Sequence, residues 1–360
     1  MVSGWLADVA SHPLTVTKQG TKMRSPVLPP APTLEMVGAR AGVSRATVSR
    51  VVNGSPRVSD EVVRAVRAAI AELGYVPNRA ARSLASKQTR AIALVVPEDM
   101  GRLFGDLYLA SIIGGIHGRL EASDYVLNLM VASSKTDGKT MRYLQGGNVD
   151  GAIVISHHTN DTFISTLTQT LPVVFGGRPA AHVDGGHVVD VDNVAGSRTG
   201  TERLVHVGCK RIATITGPQT MPAGIDRVTG FLAALNEAGL EPGPIVEGDF
   251  TPRSGAEAMW EVLRLDPKVD GIFVASDVMA AGAMPVLRSS GRSVPGDVAM
   301  VGFDDSEAAM TTEVPLTTVR QPAEMMGNTI ASILIDVLNG VEDHPTLTLL
   351  PTELVVRSSA

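Results

Sequence analysis

The sequence predicts a small all-α helix-turn-helix domain followed by an α/β body of two doubly wound parallel-sheet lobes. Three observations carry this. Residues 33–76 read as short helices with capping residues and turn glycines in place. From Ile92 onward, continuous apolar runs of strand length alternate with amphipathic stretches, the pattern of parallel sheets covered on both faces. Eight such runs within a chain of 360 residues are too many for one compact lobe, so two are expected.

The elements follow in order. Residues 1–32 hold Pro13, Pro26, Pro29, Pro30 and Pro32 without a sustained period, and are expected to be a disordered tail; Met23 is an alternative start. Thr33 suits the N-cap of "LEMVGARAG", Ser44 that of "RATVSRVVN" and Ser59 that of "DEVVRAVRAAIAEL". Asp60 and Glu61 then fall where the helix dipole favours acids, and Gly74 suits the C-terminal stop. The helix-turn-helix domain is assigned to 33–77 and a hinge to 78–89. The body follows over 90–360. Its first lobe is placed at about 90–191 plus 322–342, its second at about 192–321 plus 343–360. The strand runs are "AIALVV", "YVLNLMV", "GAIVI", "PVVF", "HVVDV", "RIATIT", "GIFVA" and "DVAMVGF". With only 4% aromatic residues, the cores are built from Val, Ile, Leu, Ala and Met.

Charge and composition narrow the function. The net charge of −6 hides an asymmetry: residues 33–90 hold ten Lys and Arg against four acids, whereas the chain beyond them is acidic. A basic module on an acidic body suggests a polyanion partner for the module alone. The single cysteine, Cys209, forms no internal disulfide and suits a reducing compartment. No run approaches 18 apolar residues and no secretory pattern opens the chain, so no membrane partner and a cytoplasmic, nucleoid-associated location are expected. A phosphate-binding G-x-x-x-x-G-K-[ST] loop, a G-x-S-x-G elbow and H-E-x-x-H are all missing. Neither catalysis nor a cofactor is therefore expected. His157 and His158 are adjacent, so on an extended segment they point apart, and a metal is not expected there.

In "TLEMVGARAGVSRATVSRVVN", Gly42 permits the sharp turn between two helices. Leu34, Val37, Val43, Val48 and Val51 form the shared seam. The second helix then exposes Ser44, Arg45, Ala46, Ser49 and Arg50, a face suited to the major groove. The chain resembles the lactose-repressor (LacI/GalR-type) family of bacterial transcriptional regulators. The resemblance rests on "AGVSRATVSRVVNG", "VSDEVVRAVRAAIAELGYVPNRAARSL", "RIATITGP", "GIFVASDVMAAGAM", "DVAMVGFDD", "PLTTVRQP" and "LPTELVVR". Met36 and Gly38 depart from the family's usual residues in the first helix.

The resemblance implies a periplasmic-binding-protein-like body and a DNA-facing set of Thr33, Ser44, Arg45, Ala46, Thr47, Ser49, Arg50, Asn53, Asn78, Ala81 and Leu84. Within it, Arg45 and Ala46 match operator-choosing positions, Arg50 a base contact, and Thr47, Ser49 and Asn53 backbone contacts. "PNRAARSLASKQ" resembles a hinge helix that enters the minor groove, with Leu84 as the apolar wedge and Asn78 and Ala81 as neighbouring contacts. Such a helix is too short to be stable alone, so a homodimer on a pseudo-palindromic operator is expected.

Two such lobes leave a cleft at the carboxyl ends of their strands. Polar residues just after predicted strands belong there, and the resemblance adds others. The expected effector-binding set is Phe104, His158, Thr159, Asp192, Arg227, Phe250, Ser276 and Asp304. Asp304 and Asp305 also suit a turn cap, and Phe250 also suits a core position. A sugar is the expected small-molecule effector; a nucleobase or a sugar acid fits the same residues. The reading is thus a ligand-responsive, sequence-specific regulator, most simply a repressor, on double-stranded operator DNA. A solute-binding protein would explain the lobes but not the basic module, and an architectural DNA-binding protein would not need the cleft. Arginine bidentate to guanine contributes about 1–3 kcal/mol of discrimination. Arg50→Ala is therefore expected to weaken binding to operator DNA more than to random DNA in a titration; equal losses contradict the base contact.

Overall fold

The computed structural model describes residues 32–52, 54–76, 88–132, 137–159, 161, 163–180, 184–341 and 343–360. Asn53, Asn78, Ala81, Leu84 and the tail up to residue 31 lie outside the described residues. The chain divides into two compact units, Met1–Asn78 and Arg79–Ala360.

In the first unit, helix α1 spans Leu34–Ala41, α2 Arg45–Val52 and α3 Asp60–Leu73. Thr33 Oγ1 accepts the Met36 N–H at 3.3 Å and Ser44 Oγ accepts that of Thr47 at 3.2 Å, so both act as caps. Ser59 occupies the third cap position without a side-chain cap bond, leaving the acids of the first turn to face the N-terminus of α3. Gly42 and Gly74 close α1 and α3 at φ of 68° and 61°, where a side chain is strained. Val37, Val48, Val66, Ala69 and Tyr75 form the core. Gly38 also has a reason: a Cβ there would sit 2.8 Å from the Val43 carbonyl oxygen, so glycine lets the turn fold back onto α1.

The second unit holds two six-stranded sheets. In the first, β1 (Ala91–Val96), β2 (Val126–Val131), β3 (Gly151–Ile155), β4 (Val173–Gly176) and β5 (His187–Val191) run with β11 (Leu347–Leu350) in the order β11-β5-β4-β3-β1-β2, all parallel. In the second, β6 (Ile212–Thr216), β7 (Ile245–Glu247), β8 (Gly271–Val274), β9 (Ala299–Asp304) and β10 (Thr317–Arg320) run parallel; β12 (Glu353–Val355) joins β10 antiparallel. The body is thus the expected pair of parallel-sheet lobes, with the first passage between them at Asp192. The last passage differs from expectation. The sequence places residues 343–360 in the second lobe, but Leu347–Leu350 pairs with β5, so the chain completes the first lobe before crossing near residue 351.

Helices cover both faces of each sheet. The first lobe carries α4 (Met100–Gly105), α5 (Leu107–Glu121), α6 (Asp137–Gln145) and α7 (Phe163–Thr168). The second carries α8 (Asn193–His206), α9 (Pro222–Glu237), α10 (Pro252–Leu265), α11 (Asp277–Ser289) and α12 (Glu307–Thr311); α13 (Ala323–Leu338) returns to the first. Strand β1 shows why the apolar runs are continuous. Ile92, Leu94 and Val96 pack with Ile112, Ile116, Ile330 and Leu334, while Ala91, Ala93 and Val95 pack on the other face with Leu144, Phe163 and Leu167. Each large side chain so buried contributes roughly 1.5–3 kcal/mol.

The helix pairs touch backbone to backbone. A methyl group on Gly115 of α5 would overlap the Glu324 carbonyl, and one on Gly327 of α13 would overlap that of Ile112. Gly230 of α9 meets Val194 of α8 in the same way, and Gly255 of α10 meets Met279 of α11. Gly327→Ala is expected to force α13 away from α5 and cost about 1–3 kcal/mol, read as a lower denaturant midpoint of the body. An unchanged midpoint contradicts the close approach.

Candidate functional site: a cleft at the strand ends of two lobes

The carboxyl ends of both sheets line a cleft enclosing about 780 Å³, part of it open to solvent. Its floor is organised around Arg227 in the first turns of α9, 5% exposed. The guanidinium donates from Nε to Asn193 Oδ1 at 2.9 Å and from Nη1 to the Ala275 carbonyl at 2.5 Å. It also lies 3.6 Å from Asp304 Oδ1 and 3.7 Å from the centroid of the Phe303 ring. Asp304 Oδ1 accepts a hydrogen bond, 2.6 Å, from Gln321 Nε2. Burial pushes the Asp304 carboxyl well above the usual carboxylate range, and the Arg227 charge opposes that rise. Asp190 and Asp106 are also raised by burial, opposed by backbone N–H groups that donate to them.

Phe250 follows β7 at φ 63°, its ring against Gly217, where a Cβ would overlap it. The guanidinium of Arg102, from the first lobe, stands 5.2 Å from the ring centroid. Ser156 and Asp304 also line the cleft with positive φ, 59° and 112°. Three of the five non-glycine residues in that region, among those described, therefore sit in one cavity, where strain has a functional meaning.

Of the expected effector set, Arg227, Phe250, Ser276 and Asp304 line the cleft. Ser276 also caps α11 through the Met279 N–H. The other four do not line it. Phe104 is 72% exposed on the outer side of α4. Asp192 is exposed and caps α8 by accepting the Ala195 N–H at 2.8 Å; its neighbours Asp190 and Asn193 face the cleft instead. His158 and Thr159 reach across to Thr220 of the other lobe. Ser156 and His157, directly before them, take the cleft positions instead. Arg102, Asp106, Tyr108 and Gln321 line the cleft too, and strand-end reasoning did not find them: Arg102 stands on α4, Tyr108 on α5, and Asp106 between them caps α5.

Two polar atoms of this wall are buried without a partner, Arg102 Nε and His157 Nδ1. The Nε2 of His157 lies 3.0 Å from the Gly177 carbonyl, which only accepts, so Nε2 holds the hydrogen and Nδ1 is left as an acceptor. Burial lowers the His157 pKa and keeps the ring neutral. Among the described residues no cluster suits a metal ion, and no helix is long and apolar enough to cross a membrane.

In the first unit, Thr33, Ser44, Arg45, Ala46 and Arg50 are exposed, Thr47 and Ser49 half-buried, and Val48 points into the core. Arg45 Nε lies 3.1 Å from Glu35 Oε1 with both side chains exposed, an ion pair weak enough to be exchanged for another anion.

Residues 33–78 match the bacterial regulatory proteins of the lacI family, and residues 201–360 match the periplasmic binding protein-like domain. The chain is 45% identical over 333 residues to the HTH-type transcriptional regulator CelR of Thermobifida fusca, covering 91% of this chain and 98% of that one. It is 34% identical to the HTH-type transcriptional repressor PurR of Erwinia tasmaniensis over 91% of this chain and 97% of that protein. Among solved structures, a complex of the transcriptional regulator CelR with cellobiose matches with a TM-score of 0.73 and 44% identity, covering 91% of this chain and all of that one. A lac repressor dimer bound to operator and the anti-inducer ONPF matches with a TM-score of 0.80 and 28% identity, covering 91% and 99%. With such a relative over 91% of its length, and a matched DNA-binding domain followed by a two-lobed body, the chain belongs to the LacI family of transcriptional regulators.

Proposed function

We propose that the protein represses transcription as a homodimer on a pseudo-palindromic operator, and that a small neutral saccharide in the cleft controls its affinity for DNA. The cleft wall supports this most directly. It offers an aromatic face at Phe250 beside the polar side chains of Ser156, Asn193, Ser276 and Gln321. Its charged groups are already engaged: Arg227 with Asp304, Arg178 with Asp226, and Asp190 with backbone N–H groups. A polyhydroxylated ring satisfies lone acceptors and donors and stacks on an aromatic side chain without bringing a charge. Among the described residues, each arginine of the cleft already faces a carboxylate, Arg102 with Glu98, Arg178 with Asp226 and Arg227 with Asp304, which disfavours a sugar acid or phosphate. The relative whose solved complex contains cellobiose supports a disaccharide as the first ligand to try.

In this reading Arg45, Ala46 and Arg50 select bases in the major groove, with Thr33, Ser44, Thr47, Ser49 and Asn53 at or near the backbone. Asn78, Ala81 and Leu84 act in the minor groove. Arg227, Phe250, Ser276 and Asp304 hold the effector, joined by His157 and Arg102. The protein acts in the cytoplasm without a cofactor and catalyses no reaction. Phe104, Asp192, His158 and Thr159 take no direct part in holding the effector.

Ligand and operator affinities are then coupled reciprocally. Saturating cellobiose is expected to change the Kd for operator DNA by about fivefold or more, measured by fluorescence anisotropy. Bound operator is expected to change the cellobiose Kd by the same factor. A cellobiose site that leaves operator binding unmoved contradicts the regulatory reading. No response to cellobiose, with a response to a sugar phosphate, contradicts the neutral ligand.

A further inference from the structure

Four contacts between the lobes converge on one short segment, residues 220–226, at the entry to α9. His158 Nδ1 lies 2.9 Å from Thr220 Oγ1, and the Thr159 N–H donates to the Thr220 carbonyl at 2.8 Å. One terminal nitrogen of Arg102 donates to Met221 Sδ at 3.4 Å. A terminal nitrogen of Arg178, just after β4, donates to both carboxylate oxygens of Asp226 at 2.8 Å. The first-lobe partners are themselves anchored. Glu98, 8% exposed, takes on Oε1 the hydroxyl of Ser156 at 2.6 Å, Nε2 of His158 at 3.1 Å and a terminal nitrogen of Arg102 at 3.1 Å. His158 is held besides by its backbone N–H, which donates to Asp161 at 2.6 Å.

We infer that these contacts are a clasp that closes the two lobes over the cleft, with Arg178 and Asp226 as positioning residues for effector retention. The clasped segment leads straight into Arg227, the residue after Asp226, so closing the rim also sets the cation at the cleft floor. Ser156 and His157, on the cleft wall, directly precede His158, so the same first-lobe loop lines the ligand and grips the other lobe. An effector seated between them is released only after the rim opens. The clasp should therefore lower the dissociation rate more than it raises the association rate. The effector part of this inference rests on the cleft being the effector site; the closure part does not.

The test is a charge swap in the full chain. Arg178→Glu and Asp226→Arg are each expected to weaken cellobiose binding about threefold or more, chiefly through faster dissociation in stopped flow. The double variant Arg178→Glu/Asp226→Arg should restore binding to within about twofold of the original. If Arg178 merely touches ligand, the swap does not rescue. In parallel, the lobe separation is read without ligand by electron–electron double resonance. Spin labels go on Lys139→Cys and Glu257→Cys, both exposed positions, in chain diluted with unlabelled protein. The one native cysteine, Cys209, is buried. Each single charge variant should lengthen or broaden that distance, Thr220→Val should shift it the same way, and the swap should return it. Unchanged distances in the single variants, or a swap that fails to restore them, overturn the clasp. If the unaltered protein shows no cellobiose binding, the saccharide reading falls while the label distances still decide the closure.

Discussion

One buried guanidinium fixes the centre of this molecule. A cation out of water is stable only if its donors are met and a counter-charge stands near. Arg227 meets that demand with groups from separate parts of the chain: Asn193 at the first passage between lobes, Ala275 at the end of β8, and Asp304 at the end of β9. Gln321, which binds Asp304, lies at the second passage. The ring of Phe303 packs on the guanidinium face. Any ligand that touches Arg227 or Asp304 thus touches groups bonded to two of the three connections on which the lobes turn. The cleft floor and two of the passages between the lobes therefore share hydrogen bonds.

The strands best read from the sequence are those buried on both faces. The run "AIALVV" is β1 because both of its sides meet apolar helices. Four strands escaped that rule. β7 and β12 are three-residue edge strands, and β11 alternates in exposure. β10 is interior but opens on Thr317 and Thr318, buried only because their hydroxyls are bonded, Thr318 to Asp277 at 2.6 Å and Thr317 to the Ala360 carbonyl at 3.2 Å. Nothing in the composition of Leu347–Leu350 says which sheet edge it completes, so the sequence alone does not locate the last passage.

The site was half legible for a related reason. A position just after a strand places a residue at the cleft end of a sheet, and Ser276 and Asp304 follow from that; Arg227 opens the helix beyond such an end, and Phe250 follows only from the family resemblance. It does not say which way the side chain points. One residue separates His157 on the wall from His158 on the rim, and one or two separate Asp192, a helix cap, from Asp190 and Asn193. Arg102, Asp106 and Tyr108 come from helices whose approach depends on packing. In the body that packing is set by glycines, since α5 and α13 meet through Gly115 and Gly327 with backbone against backbone.

The order of the strands also governs biosynthesis. The first lobe is not finished by the first part of the chain: its core includes Met326, Ile330 and Leu334 from α13, and its outermost strand is Leu347–Leu350. Until those residues leave the ribosome, β3, β4 and β5 lack the helix that covers one of their faces, and β5 presents an open edge. The second lobe likewise waits for β12 and for Ser359, whose hydroxyl donates to the Met300 carbonyl at 2.6 Å. The helical unit at the front needs nothing from downstream to complete its own core. A nascent chain therefore carries a finished DNA-binding unit ahead of two unfinished lobes. Translational arrest or truncation near the end of the message leaves that finished helical unit attached to lobes that lack part of their core and their outer strands.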